Sequence, residues 1–89
     1  MTTTNLKLLV EARAATRTGS AARLRRSAGL SQSEIARAAS VNPATVYRWE
    51  SGERQPTGAA AIRYARVLRV LAAESKGNPE EEPQNGPSR

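Results

Sequence analysis

Two nearly complete helix-start signals, one helix length apart, constrain this chain more than anything else in it. Ser31 is placed to cap a helix through its hydroxyl, Glu34 stands at the reciprocal third position, and Leu30 and Ile35 occupy the two positions of an apolar staple. The pattern then repeats. Asn42 is a strong cap, Pro43 suits a first helical position where its missing N–H costs nothing, and Val41 and Val46 form a second staple. Gly52 supplies the permissive backbone that ends this second helix. Between the caps, Ile35, Ala36 and Ala39 make one apolar stripe and Val46 and Trp49 another, at the three- and four-residue spacing of helices. Helices of about eight to ten residues do not stand alone in water. They must pack on each other and on neighbours, which makes the fold all-α.

The neighbours are legible in outline. A chain of 89 residues forms one unit and buries only roughly 60 % of its unfolded surface. Sixteen alanines, no phenylalanine, no cysteine and one tryptophan predict a small-residue core in which Trp49 is the largest single apolar contributor. A first amphipathic helix is expected over about residues 5–16, with Leu6, Leu9, Val10 and Arg13 on one side. Thr18, Gly19 and Ser20 break it, and Ser20 caps a second helix over residues 21–28. The last helix starts after Thr57, a cap following Pro56, and buries Ala61, Tyr64, Ala65, Leu68 and Ala72, with Arg63 and Arg66 pointing away. Residues 75–89 hold no aliphatic or aromatic side chain, three prolines and three glutamates. Nothing there offsets the entropy of ordering, so a disordered acidic tail is expected. The chain thus divides into an accessory helix and linker (1–19), a compact helical domain (20–74) and a tail (75–89).

Residues 1–70 carry 12 basic and 4 acidic side chains, while residues 71–89 carry 2 and 4. A basic body suits a polyanion partner, although high charge also serves solubility. Twelve of the fourteen basic residues are arginine, which favours bidentate contacts to phosphate and guanine. A GC-rich genome, as in a high-GC bacterium or its phage, produces the same bias. The chain has no histidine, cysteine or aspartate, so the usual zinc sites, thiol nucleophiles and histidine bases are excluded. Neither an enzyme nor a cofactor or metal is expected. The first residues show no basic leader, and no apolar run approaches the roughly 20 residues of a membrane span. A cytoplasmic protein with no membrane association and no small-molecule ligand follows.

The arrangement of two capped helices and a tight turn resembles a known family. Leu24-Arg25, Gly29-Leu30-Ser31-Gln32 with Glu34-Ile35-Ala36, Val41, Val46, Trp49-Glu50-Ser51-Gly52-Glu53, Pro56, and Ala65 with Leu68 resemble, in order and spacing over residues 21–68, the Cro and lambda-repressor-like (Xre-like) helix-turn-helix DNA-binding family. The resemblance implies a bundle of about five short helices, with the leading helix added to the minimal pattern. Family members commonly break near position 69 with glycine and add a fifth core helix, whereas this chain has Arg69 and stays apolar through Leu71 to Ala73. The leading helix is expected in that place, as a brace against the last helix or as a dimerisation surface.

At about 100° per residue, Val46, Trp49 and Glu50 cluster inward, while Ala44, Arg48 and Ser51 project outward with Thr45 and Tyr47 on the flanks. The resemblance assigns base reading in the major groove of double-stranded DNA to Asn42, Pro43, Ala44, Thr45, Tyr47 and Arg48. Pro43 and Ala44 can offer only apolar contact, for example to a thymine methyl. Arg48 is the candidate for a bidentate guanine contact, with a phosphate contact or a solvated side chain as the alternatives. Gln32 is implied as a phosphate contact and a brace to the recognition helix, and Ser51, Arg54, Gln55, Thr57, Arg23 and Arg26 are the further phosphate candidates. Glu50 faces inward, where an unpaired carboxylate is costly, and the resemblance pairs it with Arg25 in a structural salt bridge. The function implied is a phage or bacterial repressor acting as a homodimer on a symmetric operator. An antitoxin that also binds a partner toxin is the alternative, and a DNA-bending excisionase a third.

Overall fold

The caps set the helix boundaries. In the computed structural model, which describes residues 1–77, five helices follow one another: α1 (Thr3–Thr18), α2 (Ser20–Ser27), α3 (Gln32–Ala39), α4 (Pro43–Ser51) and α5 (Gly58–Gly77). No strand occurs among the described residues. At α3 both halves of the capping box are made: the Glu34 N–H donates to Ser31 Oγ at 3.0 Å, and the Ser31 N–H donates to Glu34 Oε1 at 2.8 Å. At α4 the Ala44 N–H donates to Asn42 Oδ1 at 2.8 Å, and Gly52 closes the helix with φ of 83°.

The core is built as the alanine count requires. Leu8, Ala12, Ala21, Ile35, Ala36, Ala39, Val46, Trp49, Ala61, Ile62, Tyr64, Ala65 and Leu68 form one buried cluster. Helix α5 is its spine, packing against α1, α2 and α3, while α3 packs against α4. The Trp49 and Tyr64 rings meet at 4.8 Å between centroids with their planes tilted by 45°, within the distance at which aromatic pairs attract. The Tyr64 hydroxyl is buried without a hydrogen-bond partner among the described residues. Burial first, and then the nearby Glu50 charge, push the phenol well above its ordinary pKa.

Five expectations are corrected. On α1 the inward face is Leu8 and Ala12, with Leu9 and Ala15 partly buried, whereas Leu6 and Val10 are 52 % and 58 % exposed. Close helix approach selects the face bearing alanines over the one bearing the larger side chains. Ser20 is not a cap: Gly19, at φ of 85°, ends α1 and begins α2 at once, and the Arg23 N–H donates to its carbonyl at 3.2 Å. Ser20 is therefore already inside the helix. Arg63 does not point away, because its Nε donates to the Ala39 carbonyl at 2.8 Å and its Nη2 to the Ser40 carbonyl at 3.2 Å. Ala72 is only partly buried, and Ile62 is the core residue that the pattern left out. Helix α5 passes Arg69 without a break and takes residues 75–77 with it; the rest of the expected tail, 78–89, lies outside the described residues.

Arg63 reaches the tightest point of the fold. Ser40 sits in the left-handed region at φ of 57°, so that its own N–H and that of Val41 can close the end of α3 onto the carbonyls of Arg37 and Ala36. A non-glycine residue there costs about 1–2 kcal/mol, and the two Arg63 hydrogen bonds offset it. Substituting Ser40→Gly removes the steric cost but adds freedom to the unfolded chain. The expected result is a gain of up to about 1 kcal/mol, read as a melting temperature a few degrees higher; a lower one contradicts the account of this turn.

Candidate nucleic-acid interface

Helix α4 is exposed along one side and anchored along the other. Val46 and Trp49 are buried in the core, while Asn42, Pro43, Ala44, Tyr47, Arg48 and Ser51 are exposed and Thr45 is half-buried. Three donors from two other helices converge on its last turn. Arg25 of α2 donates from Nε to Glu50 Oε2 at 2.7 Å and from Nη2 to Oε1 at 3.0 Å, and Gln32 of α3 donates from Nε2 to Oε1 at 2.9 Å. The remaining Arg25 nitrogen, Nη1, donates to the Leu30 carbonyl at 2.9 Å in the α2–α3 turn. The two charged side chains are only 12 % and 6 % exposed. Burial by itself would push the Glu50 carboxyl up. The hydrogen bonds from Arg25 and Gln32, with the charges of Arg25 and Arg26, together outweigh it and hold the carboxyl below its ordinary range.

This arrangement leaves specific atoms free. Gln32 has a second amide N–H and its carbonyl oxygen left after bracing Glu50. Asn42 has its carbonyl oxygen occupied by capping, and its NH2 remains. The Ser51 hydroxyl donates to the Arg48 carbonyl at 3.1 Å and accepts from the Glu53 N–H at 3.4 Å, so it is engaged in finishing α4. The Arg48 guanidinium makes no hydrogen bond or ion pair among the described residues.

An open groove between α4 and the start of α5 gathers five of the candidate contacts: Thr45, Arg48, Arg54, Gln55 and Thr57. Its floor includes Trp49 and Ala60. The loop between the helices is fixed in two places. The Arg54 N–H donates to the Arg48 carbonyl at 3.2 Å, and Arg13 of α1 donates from Nε to the carbonyl of buried Pro56 at 2.8 Å. Arg23 stands apart from this groove, its Nη1 donating to the Thr18 carbonyl at 3.4 Å, and Arg26 is exposed near Glu50. The role of Arg13 escaped the sequence because its partner lies 43 residues away and neither residue belongs to a local pattern.

Comparison with known proteins gives one finding. A model of the helix-turn-helix family matches residues 22–74, more than half of the chain. No curated protein and no solved structure matches it.

The Arg25–Glu50 pair sets a pH dependence whose sign is fixed. A carboxyl with a lowered folded pKa contributes stability that is complete above its unfolded value, about pH 4.3, and is lost as pH falls through the folded value. Below about pH 4 the melting temperature of the parent protein should therefore fall more steeply than that of Glu50→Gln. At neutral pH, Glu50→Ala strands the Arg25 charge and should cost about 3–5 kcal/mol. Unchanged denaturant midpoints would show that the pair is idle.

Proposed function

We propose that this chain, which belongs to the Cro and lambda-repressor-like (Xre-type) helix-turn-helix family, represses transcription by occupying an operator with α4 in the major groove. It is a DNA-binding regulator of that family. The observation that carries the finer reading is the posture of α4. Its inner side is locked by Val46, Trp49 and the Glu50 hydrogen bonds, while its outer side presents Ala44, Tyr47 and an unpartnered Arg48.

A major groove about 12 Å wide admits one helix. Arg48 then reads a guanine edge, Ala44 and Pro43 offer apolar contact to thymine methyls, and Asn42, Thr45 and Tyr47 complete the base-facing set. Gln32, Arg54, Gln55 and Thr57 hold the flanking phosphates, with Arg23 and Arg26 beyond them; Ser51, whose hydroxyl proton goes to the Arg48 carbonyl, drops out of the set. Two copies acting on half-sites about one helical turn apart match the family's usual mode. Such a protein works in the cytoplasm of a bacterium or of a phage-infected cell. Among the described residues no helix is long and apolar enough to cross a membrane.

The antitoxin alternative draws on a different surface. Leu6, Val10 and Val70 are more than half exposed, an apolar outlay that a protein partner would cover. A toxin reading frame beside this one, and a complex between the two products, would favour that alternative.

Binding to a duplex enriched from a random library by the parent protein tests the main reading. Arg48→Ala should lose about 1–3 kcal/mol on the enriched duplex and much less on random duplex, narrowing the ratio between them. An equal loss on both would make Arg48 a phosphate contact.

A further inference from the structure

Among the described residues the arginines fall into two groups by what their guanidinium groups touch. Arg13, Arg23, Arg25, Arg63 and Arg69 are committed to carbonyls or carboxylates of this chain. The guanidinium groups of Arg17, Arg26, Arg37, Arg48, Arg54 and Arg66 make no hydrogen bond or ion pair among the described residues. Three of this second group, Arg17, Arg48 and Arg54, lie along two adjoining grooves. One is the groove between α4 and α5. The other, of about 220 Å³, runs from the C-terminal turns of α1 to the α4–α5 loop, with Arg13, Arg17, Gly52 and Arg54 on its walls. Trp49, Arg54 and Gln55 border both grooves, so the two lie side by side. No carboxylate lines either one among the described residues.

Three guanidinium groups around one depression repel one another unless an anion enters it. Arg13 is tied down, its Nε–H donating to the Pro56 carbonyl. Arg17 follows at i+4, hence on the same face of α1, and is exposed. We infer that the C-terminal end of α1 belongs to the DNA interface: Arg17, with Arg54, grips the phosphodiester backbone just beyond the groove in which α4 lies. Arg13 is the positioning residue that keeps the α4–α5 loop and α1 together. The inference rests on α4 reading DNA and gives the accessory helix a second duty beside packing on α5. The footprint on DNA is correspondingly longer than residues 20–74 alone would leave.

Arg17 also stands in the last turn of α1, where a cation complements the helix dipole. That role alone would change stability and leave the salt dependence of binding untouched. The test is fluorescence anisotropy of the full chain on the enriched duplex and on a random duplex, between about 50 and 200 mM monovalent salt. Arg17→Ala should weaken both duplexes alike, about five- to tenfold near 0.1 M salt, and lower the slope of log K against log salt by about 0.9. Arg17→Lys should restore the slope. Arg66→Ala, which removes an exposed charge bordering neither groove, should leave it unchanged. A slope for Arg17→Ala equal to that of the parent, or a loss matched by Arg66→Ala, overturns the inference while leaving α4 as the reader. No duplex binding by the parent protein overturns both.

Discussion

One carboxylate holds the architecture of the interface together. Glu50 accepts from Arg25 of α2 and Gln32 of α3 while belonging to α4 itself, so three helices are referenced to a single pair of oxygens. Neither partner is dispensable. An isolated carboxylate at that depth would be strongly destabilising, and an isolated guanidinium equally so. Because Arg25 also donates to the Leu30 carbonyl, the turn that leads into α3 is fixed by the same group. A helix of nine residues has too few hydrogen bonds of its own to persist in solution. Its rigidity comes from this anchor and from Val46 and Trp49 beneath it, and a pre-ordered probe loses less entropy on docking.

The small-residue core draws on all five helices. Alanines at positions 12, 21, 36, 39, 61 and 65 let backbones approach closely but bury little area each. Helix α1 contributes Leu8 and Ala12 to that core and packs along α5. The exposed ion pair between Arg69 and Glu11, at 2.7 Å and 2.8 Å, spans the same junction; being open to solvent, it adds little. Packing on α5 also brings Arg13 to Pro56. Fold stability and the placement of the α4–α5 loop are thereby coupled through one helix.

How much the sequence disclosed follows from the range of each interaction. The caps at Ser31 and Asn42, the stop at Gly52 and the inward residues of α3 and α4 all depend on neighbours within four positions, and these were legible. Helical spacing placed Glu50 on the inward face, but its pairing with Arg25, 25 residues away, came only through family resemblance. Arg63 was misread because its partners, Ala39 and Ser40, are 24 and 23 residues away, and its spacing on α5 resembles that of a solvated arginine. The face of α1 was misread for another reason. Leu6, Leu8, Leu9 and Val10 give two overlapping apolar stripes, and only the partner helix decides between them. The five candidate contacts in the groove between α4 and α5 come from α4 itself, Thr45 and Arg48, and from the loop after it, Arg54, Gln55 and Thr57, whose path no local pattern specifies.

Helix α4, locked from within by Glu50 and Trp49, is proposed to carry its outward side chains into the major groove. Intermolecular nuclear Overhauser effects between the labelled protein and an enriched duplex measure this directly. The account predicts contacts from the Ala44, Tyr47 and Arg48 side chains to base protons of the major groove, with the Gln32 amide close to the backbone. Contacts confined to other helices, with α4 silent, would contradict it.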